Sequence, residues 1–252
     1  MHRSMSAPTA QLHEIFTSRQ GEGPYTGTEM VFVRLQGCAL RCRWCDTLES
    51  LPHRAPHWRL ESAPGAQTFV VRDNPVTCTD LNTALQTHTA PWISITGGEP
   101  LEQSDFLVEW LPTQSSRKIL LETSGVLARA LRAVLPYIDV VSMDMKLPSS
   151  TGMRAYWEPH REFIGAAKES ACELYIKMVI DAHTTPADIA TATQLIADID
   201  PRIPTWLQHA SPTTAFADCP TSEQLRDALV SCQKYLQQVT VGQQMHKTWG
   251  VL

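Results

Sequence analysis

The chain lacks several features that would place it in other classes. No apolar run reaches the roughly 20 residues that a membrane-spanning helix needs, so no membrane partner is expected. No block of Lys and Arg offers a surface for phosphates, and the formal net charge is -5; both argue against a nucleic-acid partner. There is no internal repeat and no low-complexity tract. Residues 1–10 contain Ser, Pro and Thr without the apolar core of a secretory leader, so residues 1–12 are expected to be flexible and the protein cytoplasmic. Without such a leader, an odd count of seven cysteines does not suggest a disulfide framework. What is present is 252 residues with 43% hydrophobic and 19% charged side chains, an ordinary globular composition large enough for one substantial core.

Apolar, β-prone runs recur at 30–35, 92–96, 118–122, 138–143, 174–180 and 205–208. Each has the near-continuous apolar character of a strand covered on both faces. Between them, 79–88, 103–111, 126–135, 161–172, 186–199 and 222–239 have helical character, the first opening on Thr-Asp. This alternation predicts right-handed βαβ units in a single α/β domain, a partial (β/α)6 barrel of TIM type with parallel strands. Residues 48–77, rich in Pro and His, form an insertion with a short β-like run at 68–72, expected to be a small hairpin. Within it, His53 and His57 are expected to be solvated loop residues. The glycine-rich and polar residues follow the strand ends, the face on which such barrels build their sites.

Three of the seven cysteines fall within eight residues, as Cys38, Cys42 and Cys45. The other four, Cys78, Cys172, Cys219 and Cys232, are isolated and are expected to be small apolar side chains. Three thiolates at C-x3-C-x2-C suit a soft metal. A structural zinc would need a fourth ligand, and the sequence has no second C-x2-C, although Asp46 or a distant His would complete one. A four-iron cluster held by three cysteines instead leaves one iron open to an amino acid's amino and carboxylate groups. Two further residues stand out. Arg34 places a charge inside an apolar run, where it needs a partner such as a substrate carboxylate. Glu122 ends a strand where it can bond a cofactor's ribose or amino group.

The cysteine spacing, the aromatic Trp44 before the last cysteine, and Gly97-Gly98-Glu99-Pro100 after the second run resemble the radical S-adenosylmethionine superfamily. Glu14 to Gly23, Phe32-Val33-Arg34-Leu35, Cys45-Asp46-Thr47, Thr96 and His246-Lys247 narrow the resemblance to the 7-carboxy-7-deazaguanine synthase family, from about Glu14 to Leu252. The resemblance implies a lyase that converts 6-carboxy-5,6,7,8-tetrahydropterin to 7-carboxy-7-deazaguanine with loss of ammonia, in queuosine and related 7-deazapurine biosynthesis. It implies a [4Fe-4S] cluster, S-adenosylmethionine and Mg2+ as cofactors, an electron donor such as flavodoxin or ferredoxin, and a homodimer.

By the same resemblance, Cys38, Cys42 and Cys45 bind the cluster and Thr47 the Mg2+. Trp44, Cys45, Asp46, Gly98, Glu122, Asp144, Met145, Lys146, Gln208, His209, Ala210 and Ser211 face S-adenosylmethionine. Arg19, Gln20, Gly21, Arg34, Thr96 and the terminal Leu252 face the substrate. Arg19 stands where the family is usually apolar, His209 where proline is common, and Leu252 where some relatives end in proline. Two other readings are an activating enzyme that installs a glycyl radical on a partner protein, and a non-enzymatic iron–sulfur or zinc module. The former needs a groove for a protein loop, and the latter has no use for the Gly-Gly-Glu-Pro turn.

Overall fold

The computed structural model describes residues 7–251. In chain order its elements are β1 (Leu12–Arg19), β2 (Glu29–Leu35), β3 (His57–Glu61), β4 (Phe69–Asp73), α1 (Cys78–Ala84), β5 (Trp92–Gly97), α2 (Ser104–Trp110), β6 (Lys118–Thr123) and α3 (Ala128–Val134). There follow β7 (Val140–Asp144), α4 (Pro148–Thr151), α5 (Trp157–Lys168), β8 (Glu173–Ile180), α6 (Pro186–Ile199), β9 (Thr205–His209), α7 (Ser222–Gln233), β10 (Val239–Gly242) and α8 (Met245–Trp249). The strands form one ten-stranded sheet in the order β10-β9-β8-β7-β6-β5-β2-β1-β3-β4. From β2 to β10 every pairing is parallel, as the βα alternation predicts. The sheet is a partial barrel that does not close, with β4 and β10 as its edges. No helix among the described residues is long and apolar enough to cross a membrane.

Side chains alternate across each parallel strand, and the two faces differ in kind. Val31, Val33, Ile93, Ile95, Ile119, Leu121, Val141, Met143, Ile176 and Met178 join the core that the helices complete, with Leu131, Phe163, Ile196 and other helix residues. The opposite face carries a smaller cluster of Phe16, Met30, Phe32, Leu120, Val140 and Tyr175, which plugs the trough. At burial of this kind, each large side chain contributes about 1.5–3 kcal/mol. Further along the same strands that face turns polar, with Arg34, Thr96, Glu122, Asp144, Lys177 and Gln208, and forms the floor of a cavity.

Four strands lie outside the six parallel runs, two of them in the expected hairpin. β1 runs antiparallel to β2 and brings residues 12–19 into the sheet. Ala10 already pairs with Val76 through N–H···O contacts of 2.9 and 2.8 Å, so residues 10–12 are part of the packed structure. The expected helix over 222–239 ends at Gln233, and the β-branched residues around 239–241 form β10 beside β9. Residues 48–77 do contain a hairpin, β3–β4, laid against β1 through β3.

The β1–β3 ladder spans only two register pairs, and a buried carboxylate extends it. Glu61 is 1% exposed; its Oε2 accepts the Thr17 N–H at 2.8 Å and its Oε1 the Gln67 N–H at 2.9 Å. Glu61→Ala strips the buried Thr17 N–H and the Gln67 N–H of their acceptor. The expected cost is about 2 kcal/mol of stability, measurable by urea titration, and an unchanged midpoint would show that the hairpin does not depend on this carboxylate.

Candidate functional site

The loop after β2 carries the three cysteines and is fastened on both sides. Gly37 N–H donates to Ser50 O (2.7 Å) and Cys38 N–H to Leu51 O (3.1 Å), which tie it to the segment that follows. Ala39 N–H donates to Glu102 Oε1 (2.7 Å) beyond β5. Further along, Arg43 N–H donates to Thr151 O (3.0 Å) and Trp44 Nε1 to Ser150 Oγ (2.8 Å), which anchors the loop on α4. The two glycines at the end of β5 make this loop possible. Gly97 has φ +135°, and a Cβ on Gly98 would lie 2.2 Å from Gly37 O. No other residue type fits so close a backbone approach. Glu99, buried beside them, accepts from Leu101 N–H, Thr123 Oγ1 and Ser124 N–H, and so joins the β5 and β6 ends.

These loops surround a cavity of about 230 Å3 at the C-terminal ends of the parallel strands. From the cysteine loop, Cys38, Cys42, Trp44, Cys45, Asp46 and Thr47 line it. Arg19, Gln20 and Gly21 enter from the turn after β1, and Arg34, Thr96, Gly98 and Glu122 from β2, β5 and β6. Asp144 and Lys146 follow β7, and Gln208, His209, Ala210 and Ser211 follow β9. Two of the expected residues are elsewhere or undescribed. Met145 is 1% exposed in the core behind the cavity, with its N–H on Lys177 O, and does not line the site. Leu252 lies outside the described residues.

Several charges in the cavity are paired. Arg34 Nε donates to Glu14 Oε1 at 3.0 Å, and Arg59 from the hairpin meets the other oxygen of the same carboxylate. The charge inside β2 therefore has a protein partner, and its burial alone no longer requires a substrate carboxylate. Lys146 Nζ is 3.0 Å from Asp144 Oδ2 and 4.7 Å from the centre of the Trp44 ring. Burial pushes the Asp144 carboxyl up, but Lys146 and Lys177 outweigh it and hold it below the usual range. Glu122 accepts from Gln20 Nε2 (2.9 Å) and Ser94 Oγ (2.8 Å). Thr47 Oγ1 donates to Asp46 Oδ1 at 3.2 Å, and Asp46 Oδ2 accepts from Gln244 Nε2 at 3.2 Å.

Several residues without an assigned role from sequence also line the cavity. Lys177 is a charge inside the 174–180 run, the same signal that singled out Arg34. Glu22 sits in the Gln20-Gly21-Glu22 turn. Gln244, His246 and Lys247 come from the far end of the chain, and His246 packs so closely on Gly21 that a Cβ there would lie 2.2 Å from its Nδ1. His160, on α5, is fully buried behind the β7 loop; its Nε2 accepts the Lys146 N–H (3.0 Å) and its Nδ1 faces Gly125 O (2.9 Å). No local pattern marks His160 in the sequence.

The three free thiols line one wall of the cavity. Burial pushes Cys38 up to about 12 and raises Cys42 and Cys45 as well, so as thiolates they need a cationic centre to compensate them. Among the described residues, no three His, Cys, Asp or Glu side chains are gathered closely enough to hold a single metal ion. A cubane cluster takes each thiolate on a separate iron, and three soft donors beside a cavity with polar walls fit it together with a chelating amino acid.

No family model matches the chain. A 7-carboxy-7-deazaguanine synthase of Geobacter sulfurreducens is 36% identical to it over 98% of this chain and 100% of the relative. Another, from Methanothermobacter thermautotrophicus, is 31% identical over 96% of this chain and 98% of its own length. Among solved structures, that of QueE from Escherichia coli superposes with a TM-score of 0.61 at 22% identity, over 92% of this chain and 93% of that one, which shows a shared fold.

The buried His160 ring joins the β6 and β7 loops only while it is neutral, with its proton on Nδ1. Burial lowers its pKa to about 4, from an ordinary value of 6.5. A depressed histidine gives stability that is complete above pH 6.5 and is lost as the pH falls from there toward 4, by about 3 kcal/mol in full. His160→Asn should be less stable than wild type at pH 7.5, with a gap that narrows between pH 6.5 and 4. Thermal melts across that range check it, and a constant gap would show that His160 does not titrate in this window.

Proposed function

The chain belongs to the 7-carboxy-7-deazaguanine synthase family, and from that premise we propose that it is a radical S-adenosylmethionine lyase converting 6-carboxy-5,6,7,8-tetrahydropterin to 7-carboxy-7-deazaguanine with loss of ammonia. Its product enters queuosine and related 7-deazapurine synthesis, and so transfer-RNA modification. The observation that supports this best is the meeting, in one cavity, of the three-cysteine loop with the Gln20-Gly21-Glu22 turn, Arg34 and Thr96. A glycyl-radical activating enzyme or a non-enzymatic cluster or zinc module is set aside by family membership.

Cys38, Cys42 and Cys45 hold a [4Fe-4S] cluster and leave one iron for S-adenosylmethionine. When bound, the pair supplies a 5′-deoxyadenosyl radical that abstracts hydrogen. The protein's part is to position the reactants and exclude water. Gly98, Trp44, Asp46, Glu122, Asp144, Lys146 and the turn from Gln208 to Ser211 surround S-adenosylmethionine. Gln20, Gly21, Arg34 and Thr96 receive the pterin, and Arg19 and Leu252 complete its side of the site.

Glu14 holds Arg34 by Nε, which orients the remaining guanidinium donors for a carboxylate. Thr47, next to Asp46, offers a hard oxygen for Mg2+, with substrate oxygens and water as the other ligands. A flavodoxin or ferredoxin supplies the electron, the working form is a homodimer, and seven free thiols suit the reducing cytoplasm.

Anaerobic reconstitution with iron and sulfide, followed by S-adenosylmethionine, Mg2+, reductant and carboxytetrahydropterin, should yield 5′-deoxyadenosine and the deazapurine, detected by mass. Cofactor cleavage without the deazapurine would reject the substrate assignment. Cys42→Ala should abolish 5′-deoxyadenosine formation and lower bound iron; persistence of cleavage would show that the cluster lies elsewhere. Arg34→Ala should raise the substrate KM about tenfold or more, the scale of one charge-assisted contact, and an unchanged KM would show that Arg34 serves only the Glu14–Arg59 network.

A further inference from the structure

Lys177 occupies β8 with a side chain only 5% exposed. Its Nζ lies 2.6 Å from Glu22 Oε2 and 3.5 Å from Asp144 Oδ1. These two carboxylates come from parts of the chain far apart in sequence, and both line the cavity. Glu22 follows β1 in the same turn as Gln20 and Gly21, and its other oxygen accepts from Gln244 Nε2 at 2.9 Å. Asp144 ends β7 and holds Lys146, which in turn covers the Trp44 ring of the cysteine loop. A buried ammonium carries a desolvation penalty of several kcal/mol, and a methionine of similar length would pack there without it. The cation is therefore best explained by something an apolar residue cannot do, which is to hold two carboxylates at a set distance.

We propose that Lys177 is a positioning residue for the reaction: it fixes Glu22 on the substrate side against Asp144 on the cofactor side, and so sets where the substrate sits relative to the radical's source. The proposal rests on the function given above. Hydrogen abstraction tolerates little displacement, since a shift of about 1 Å in a bound reactant can cost a hundredfold in rate. Burial opposes the lysine's charge, but Asp144 and Glu22 reverse that and raise its pKa well above the ordinary value. Lys177 thus acts by place and not by giving up a proton.

The test uses Lys177→Met, Glu22→Gln and the double variant. Two quantities are read: the Kd of carboxytetrahydropterin for cluster-free protein by calorimetric titration, and the ratio of 5′-deoxyadenosine to deazapurine in reconstituted enzyme with both substrates saturating. Each single variant should weaken the pterin about tenfold and raise the ratio above that of wild type, and the double variant should be little worse than either, as contacting residues in one network are not additive. A merely structural lysine would lower both products in step and leave their ratio unchanged, which would overturn the proposal. Multiplying effects in the double variant would also overturn it. If Lys177→Met fails to fold, Glu22→Gln decides alone, and wild-type Kd and ratio in that variant refute the proposal. A wild-type enzyme that cleaves S-adenosylmethionine but forms no deazapurine rejects the function, and the role of Lys177 with it.

Discussion

The Glu99 N–H donates to Gly37 O at 2.8 Å, and the site depends on that contact. It brings the turn after β5 directly beneath the loop that carries the cysteines, at a separation that admits no Cβ on Gly98. Gly98 N–H donates to Leu35 O (3.1 Å) in the same join. From there the bonds spread outward. The Glu99 side chain reaches β6 through Thr123 and Ser124, and Glu102 holds Ala39 with one oxygen and His53 of the inserted segment with the other, at 2.7 Å each. The thiols are thus fastened to the ends of three strands and not to a free loop, which is how a scaffold keeps ligands within tenths of an ångström.

Most of this was legible, and the reason is alternation. An inward residue on a barrel strand either plugs the trough or lines the cavity, so a polar residue near the C-terminal end of an apolar run marks the site. Arg34, Thr96, Glu122, Asp144 and Gln208 all obey that rule. Lys177 obeys it too, as a charge inside the 174–180 run. For Arg34 the same logic leaves its protein partners out. A buried charge does need a partner, but Glu14 and Arg59 come from strands that the rhythm of runs had not revealed.

What the pattern could not reveal depends on pairing across long separations. β1 and β3 mix polar and apolar residues and pair with partners in both directions, whereas β4 shows as the short run at 68–72. β10 was hidden in a helical stretch, since four residues of strand are too few to show a period. His160 and Gln244 are invisible for a related reason: each acts on a loop far away in sequence, and nothing near it in the chain records the contact. His53, expected to be solvated, is exposed yet bonded to Glu102.

The cavity's charges follow from the chemistry proposed for it. A radical must be kept from water, so the walls should be dry, yet both reactants are zwitterionic or anionic and need polar contacts. Isolated charges in such a place would be costly, and the chain pairs several of them: Lys177 with Glu22 and Asp144, Lys146 with Asp144, and Arg34 with Glu14. Paired in this way, the charges present directed donors and acceptors, and the Lys177 pairs also join the turn after β1 to the end of β7. Electrostatic satisfaction and geometric precision are then the same set of contacts. That is why a substitution which removes one charge from this floor should be felt first as misplacement of a reactant, before it is felt as loss of the fold.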